Sequence, residues 1–417
     1  MSLFRLVLLS MLNRRGALLL TLISMVVSVT MVLGVERIRD GVRGGFSTTV
    51  SGTDLIVGPR GAPLQLVLAA LFRIGTADHA IDWSAYEQLR TDPQVAWAIP
   101  LAFGDSFQGF PVVATHGDYF RYLKYGRSRS LSFDDGCPFQ QSNEVVLGAE
   151  VVRRLKLGIG AELELTHGIG EAARHHHDEL HFVVVGTLAP TGTPVDRSVH
   201  IPLSGMTQLH AGWVGGMPMP GVRVVSAHDH PEQLNAVLLG LHQRTAVFEF
   251  KRRIETRPGT ALSAVLPALA LDQLWQVVVP VERVLQGLAL LIFVAASLGM
   301  AASLLTALQS RRRELAVLRA VGAKPYHLVL LLLGESALIT LTGIATGILL
   351  VLLLLSFGEG WLLNRLGVTL ANIDASRLII ETGIWLGVLF TGGLFAGAIP
   401  ALQAYRISLT DGLMVRE

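Results

Sequence analysis

Four long apolar stretches punctuate the chain: Gly16 to Gly34, Pro280 to Leu308, His327 to Phe357 and Leu378 to Ile399. Each is about as long as the ~20-residue helix that crosses a bilayer core. Between the first two, from Thr48 to Pro280, hydrophobic positions recur on shorter periods and no run is long enough to span. Pro63 to Ile74 is apolar but short and carries Arg73, which reads as a core or interfacial helix. The insert mixes two periods. Trp83 to Arg90 reads as a helix capped by Asp82 or Ser84, and Ala149 to Leu155 as a second helix. Val95 to Pro100, Phe110 to Thr115, Glu144 to Leu147, Ser198 to Pro202 and Gly221 to Ser226 read as strands. Ala161 to His167 and His181 to Leu188 pair as a hairpin, while Pro231 to Gln243 and Val247 to Arg253 add a helix and a strand. The expected fold class is an α-helical membrane protein with four transmembrane helices and a large mixed α+β domain between helices 1 and 2.

Charge sets the orientation. Arg14 and Arg15 precede the first span, and Arg311, Arg312 and Arg313 crowd the short connection between the second and third. Short basic connections stay cytoplasmic, so the large insert faces outward and both termini face inward. Met1 to Asn13 then reads as an interfacial helix on the cytoplasmic surface. The expected division is 1–15 interfacial helix, 16–47 helix 1 and stalk, 48–279 outer domain, 280–309 helix 2 and 310–326 cytoplasmic connection. Then follow 327–357 helix 3, 358–377 outer loop, 378–400 helix 4 and 401–417 tail. Span 2 is rich in small residues, among them Gly287, Ala296, Gly299 and Ala301, as close helix contact in lipid prefers.

Composition agrees: 51% of residues are apolar, 16% are charged and the mean hydropathy is +0.51. A net charge of +2 gives no reason to expect a nucleic-acid partner. The single Cys137 excludes an intrachain disulfide and is expected as a buried thiol.

The connection itself, SRRRELAVLRAVGA from Ser310 to Ala323, reads as a short amphipathic helix. It resembles the R-x-E-I-x-x-L-R-A-x-G-A segment of FtsX/MacB/LolC-type ABC permeases. The order E-V-V-L-G, L-x-L-G-x-G, F-x-V-V-G and D-x-x-V-x-I-P, at Glu144–Gly148, Leu155–Gly160, Phe182–Gly186 and Asp196–Pro202, resembles the MacB-type periplasmic core. Thr53 to Pro59 fits its entry strand. Pro400 to Ile407 resembles the family's closing segment, with Leu409 and Thr410 where a proline often stands.

The resemblance implies a permease subunit in a bacterial inner membrane, a homodimer working with two copies of a cytoplasmic ATPase that carry ATP-Mg. Arg311, Arg312, Arg313, Glu314, Leu315, Leu318, Arg319, Ala320, Gly322 and Ala323 would dock on that ATPase. Its movement would then pass to the outer domain as mechanotransmission, for export, extraction or handover of a cargo. A periplasmic adaptor, metal chaperone or lipoprotein is a candidate further partner, beside membrane lipid. The alternative is a non-transporting scaffold that activates a partner such as a cell-wall hydrolase.

No G-x-x-x-x-G-K-[ST] loop, G-x-S-x-G elbow or H-E-x-x-H helix occurs, so no cofactor or enzymatic chemistry is expected in this chain. Two features stand out. Glu335 is an acidic residue inside span 3, readable as an ion relay or as an inward-facing, hydrogen-bonded carboxyl. The run EAARHHHDELH places His175, His176, His177, Asp178, Glu179 and His181 together, after His167. Imidazoles beside carboxylates suit Zn²⁺ or another transition metal, against the plainer reading of a solvated polar loop. The pairs Met217/Met219 and His228/His230 are weaker signals of the same type.

Overall fold

The computed structural model describes residues 15–49, 51–75, 80–126, 128–167, 175–210, 213–214, 217–218, 230–258, 261–310, 324–366 and 382–406. In chain order the helices are α1 (Arg15–Thr49), α2 (Pro63–Phe72), α3 (Trp83–Arg90), α4 (Asp118–Tyr122), α5 (Ala149–Leu155), α6 (Leu203–Leu209), α7 (Val247–Glu255), α8 (Pro267–Ser310), α9 (Pro325–Leu366) and α10 (Gly383–Arg406). The strands of the main sheet are β1 (Leu55–Pro59), β2 (Val95–Phe107), β3 (Phe110–Thr115), β4 (Phe133–Gly136), β5 (Glu144–Leu147), β6 (Glu162–His167), β7 (His175–Leu188), β8 (Val199–Pro202), β9 (Ala236–Leu241) and β10 (Leu262–Val265). The chain divides into two compact units: Met1–Asp40, Val278–Trp361 and Asn372–Glu417 form one, Gly41–Val277 with Leu362–Ala371 the other.

Among the described residues four helices are long and apolar enough to cross a membrane, with spans within α1, α8, α9 and α10 that fall mostly in the first unit. Lipid offers little hydrophobic drive for helix association, so contact depends on how closely backbones approach. Two glycine pairs provide that approach. A Cβ on Gly343 would lie 2.6 Å from Met25 Cγ, and one on Gly347 would lie 2.6 Å from Val29 Cγ1, so α1 seats directly on α9. One helical turn apart on α10, a Cβ on Gly393 would meet Thr340 Oγ1 at 2.2 Å and one on Gly397 would meet Ser336 Oγ at 2.1 Å. Ser28 Oγ donates to the Ala289 carbonyl at 3.2 Å and ties α1 to α8. Span 2 departs from expectation: nothing lies within 4 Å of where a Cβ on Gly287 or Gly299 would stand, and its close contacts come instead through buried alanines such as Ala289 and Ala296.

The second unit is a mixed α/β fold around a ten-stranded sheet. Hydrogen bonding runs in the order β10-β1-β9-β2-β3-β8-β5-β7-β4. Strand β6 pairs with both β7 and β2, so the path from β2 through β3, β8, β5, β7 and β6 returns to β2 and closes a ring. Helices α3, α5, α6 and α7 contribute Leu89, Val151, Met206 and Phe250 to the core on one face. Helix α2 packs Val67, Ala70 and Phe72 into the core on the other, which makes the short apolar segment a core helix.

Several expectations change. Val247–Glu255 is a helix, because Phe250 and Ile254, four apart, are its buried pair while Phe248 faces out. The strand expected over Val247 to Arg253 is therefore corrected to a helix. Ala236–Leu241 is a strand buried along its whole length, where a helix was expected. A short run apolar on both faces fits a central strand as well as a buried helix. Neither Asp82 nor Ser84 caps α3 through its side chain. Cys137 is exposed, just beyond the sheet-edge strand β4. Met1 to Asn13, Gly221 to Ser226 and most of the 358–377 loop lie outside the described residues, though α9 continues to Leu366.

Candidate functional site

At one end of the four-helix unit, polar residues join α1 to α8. Arg39 Nη2 lies 2.5 Å from Glu36 Oε1 on its own helix, and Arg39 Nη1 lies 2.9 Å from Glu282 Oε1 across the gap. Gln286 Nε2 donates to Glu36 Oε2 and to Glu282 Oε1, both at 3.2 Å. Both carboxylates are largely buried, at 15% and 13% side-chain exposure. Such a shielded, multiply bonded cluster is screened less than a surface ion pair. Beside it Val32, Leu290, Phe293, Trp385 and Leu389 line an apolar cavity. Glu282 lies far along the chain from Glu36 and Arg39, so their joining needs the tertiary fold.

Glu335 is 5% exposed on α9, next to Ser336, which with Thr340 one turn further on meets the α10 glycines. That burial places it inside the bundle. Glu335→Gln keeps size and hydrogen bonding while removing the titratable proton. It is expected to leave ATP-driven activity of the assembled complex unchanged; a large loss in that assay would establish a relay instead.

The basic connection, Arg311 to Ala323, lies outside the described residues. The histidine run falls on strand β7, which begins at His175 and pairs antiparallel with β6. The hairpin is therefore longer than the expected partner, His181 to Leu188. Its register places His175 across from His167 and His176 across from Thr166, then shifts before His181 meets Glu164. His177, Asp178 and Glu179 fall within that shift. His181 Nδ1 stands 3.4 Å from Glu164 Oε1 with both side chains about half exposed. Among the described residues no three His, Cys, Asp or Glu side chains are grouped to hold a metal. His230 stacks on Trp83 at 3.9 Å between ring centroids, and His228 and Met219 lie outside the described residues.

Two further arrangements carry no sequence signal. Asp105, fully buried on β2, faces His210 at the end of α6, with Oδ1 3.4 Å from Nε2. Burial, the largest influence on His210, lowers its pKa, yet Asp105 and the Met206 carbonyl together outweigh that and the net shift is upward. On the opposite face of the sheet His200 is fully buried against Tyr119 and Phe120. Burial first, and then the nearby Arg73 guanidinium, push its pKa down to about 3. Against these two, a backbone contact with Val146 raises it, although neither ring nitrogen meets a partner in good hydrogen-bond geometry.

Comparison with known proteins fits this architecture. Residues 18–253 match the MacB-like periplasmic core domain, and residues 287–409 match the FtsX-like permease C-terminal domain. Among solved structures, the periplasmic region of MacB from Actinobacillus actinomycetemcomitans is similar over 56% of this chain and 95% of its own, at 9% identity and a TM-score of 0.34. The extracellular domain of the noncanonic ABC-type transporter YknZ from Gram-positive bacteria is similar over 51% and 98%, at 11% identity and a TM-score of 0.31. No curated protein matches the sequence. Two family domains in tandem cover most of the chain, and the protein belongs to the FtsX/MacB-type ABC permeases, membrane subunits with an extracytoplasmic domain and a separate ATPase partner.

Proposed function

We propose that this permease works by mechanotransmission, and that the Arg39–Glu282–Gln286 clasp is what makes α1 and α8 move together. Helix α8 is unbroken from Pro267 to Ser310, immediately before the basic connection, and α1 runs from Arg15 to Thr49. Both exceed the ~20 residues a bilayer requires. A push from the ATPase on the helix holding Arg311, Arg312, Arg313, Glu314, Leu315, Leu318, Arg319, Ala320, Gly322 and Ala323 would travel up α8. The clasp would carry α1 with it, and the extracytoplasmic domain would change its hold on a cargo. The working unit in this reading is a homodimer with two ATPase subunits in a bacterial inner membrane, both termini inside. The histidine-bearing hairpin ties the cargo to Zn²⁺ or a related metal, handed over within the periplasm. Supporting this is the register that brings His175 beside His167 on adjacent strands.

The test is a charge exchange. Glu282→Lys sets a cation against Arg39, and at least a tenfold loss of ATP-driven conformational change is expected, the order of loss for a close pair turned repulsive. The double exchange Arg39→Glu with Glu282→Lys should recover much of it. The reading is refuted if the single variant, reconstituted with its ATPase and followed by a fluorophore on the outer domain, responds like the wild type.

A further inference from the structure

Arg73 interrupts the apolar run Pro63 to Ile74, and among the described residues no carboxylate pairs with it. It follows the last residue of α2 in a left-handed backbone, φ 59° and ψ 30°, which a residue other than glycine seldom adopts. Its Nη1 donates to the Ala70 carbonyl, one of those left open where α2 ends. The guanidinium carbon stands 6.0 Å from the ring centroid of Phe103 on β2. Nη2 is 3.4 Å from the Tyr119 hydroxyl oxygen, longer than the 2.7–3.2 Å of a well-made N–H···O bond. Nε is shut off from solvent and has no hydrogen-bond partner.

Other polar groups around this edge are short of partners too. Tyr119 is fully buried, and among the described residues no acceptor takes its O–H. Asp196, the carboxylate whose charge reaches Tyr119, is taken up by the Thr191 and Gly192 amides. His200 is also fully buried, its ring 5.1 Å from that of Tyr119, with neither nitrogen in good hydrogen-bond geometry. Native folds seldom leave buried donors unsatisfied, and a cation withdrawn from water without a counter-charge is costlier still.

The arrangement defines its complement. One positive charge calls for one negative charge, so a dianion would leave half of its charge unmatched. The Nε–H and one Nη2–H of a guanidinium point the same way, side by side, and such a pair fits the two oxygens of a planar carboxylate. The Tyr119 O–H adds a third donor next to them. Water would satisfy the donors and leave the charge. We propose that Arg73 and Tyr119 bind a small carboxylate monoanion, held by the Nε–Nη2 edge and the phenolic O–H, with His200 lining the site. Arg73 is only partly buried, and Ile74 and Gly75 beside it are exposed. Nothing lies within 4 Å of where a Cβ on Gly75 would stand, so the ligand enters at the end of α2.

Formate is the probe, added to the purified full-length permease in detergent at neutral pH and constant ionic strength, with binding read from the broadening of its proton NMR line. A ligand of so few atoms reaches about millimolar affinity at best. The wild type should broaden the line saturably, and Arg73→Gln should abolish the saturable part. Arg73→Lys keeps the charge without the side-on pair, and Tyr119→Phe keeps the ring without the O–H. Each should weaken binding by about tenfold, the scale of one hydrogen bond to a charged group. Arg121→Gln removes an exposed cation from α4 and should bind like the wild type. If Arg73→Gln fails to fold by circular dichroism, the lysine and phenylalanine variants carry the result. Wild-type affinity in Arg73→Lys and Tyr119→Phe would overturn the proposal, since any nearby cation would then serve. Saturable broadening that persists in folded Arg73→Gln would place the anion elsewhere and overturn it as well. No saturable broadening by the wild type up to about 100 mM formate would remove the site altogether.

Discussion

Gly397→Leu is expected to disrupt the membrane bundle, whereas Gly387→Leu on the same helix should not. At Gly397 even a single added carbon would stand 2.1 Å from Ser336 Oγ and 2.5 Å from Ser336 Cβ, on a buried residue of a neighbouring helix. Ser336 has nowhere to turn, because its hydroxyl already bonds the Leu333 carbonyl within α9 at 3.0 Å. Leucine would force α10 away from α9 and also lift Gly393 from Thr340. Overpacking costs about 1–3 kcal/mol where neighbours yield. With backbones this close the upper end applies, about a hundredfold loss of the folded form. At Gly387 nothing lies within 4 Å of the added carbon, so the larger side chain meets open space. Thermal unfolding in detergent, followed by size-exclusion profiles, measures both. Equal midpoints for the two variants would show that α9 and α10 do not meet through these glycines.

The second large effect concerns acid. His200 has a folded pKa of about 3 against an ordinary value of 6.5, because it is sealed among Tyr119, Phe120 and the nearby Arg73. Below pH 6.5 the unfolded chain takes up a proton that the native state refuses. Stability contributed by a neutral His200 is therefore undiminished above that value and falls as the pH drops toward 3. The slope is about 1.4 kcal/mol per pH unit, or about 3 kcal/mol by pH 4.5. His200→Leu removes the titrating group, so the variant should outlast the wild type by that margin in acid. Near neutrality it should be close to the wild type in stability, since leucine fits an apolar site and only a weak contact of the ring with the Val146 backbone is lost. Amide exchange along β8, compared between pH 7 and about 4.5, reads the difference directly. A wild-type and variant pair with parallel pH profiles would mean that His200 is protonated in the native state.

The membrane helices were plain in the sequence because a bilayer imposes one crude demand, a long apolar window, and four segments meet it. Their mutual packing was not. Span 2 looked the richest in small residues, yet the tight contacts run through Gly343, Gly347, Gly393 and Gly397, whose role depends on which neighbour each one faces. In the outer domain, strands with a clear beginning and end such as Glu144–Leu147 and Phe110–Thr115 were legible. Val247–Glu255 was not, since its first residues alternate like a strand and only the Phe250–Ile254 spacing gives the helix away. The histidine run announced itself by composition. Asp105, which strand pairing sets across from His167, and its partner His210 lie far away in sequence and are joined only by strand pairing and helix docking.

Ring closure leaves the main sheet with two unpaired borders among the described residues, the four-residue strands β10 and β4. An exposed border is where one chain can zip onto another and seed a fibre. Strand β4 reads Phe-Asp-Asp-Gly, and its two exposed carboxylates repel a second copy laid alongside. Asp134→Val with Asp135→Val would strip that guard, leaving a fold that survives in dilute solution but clumps when concentrated.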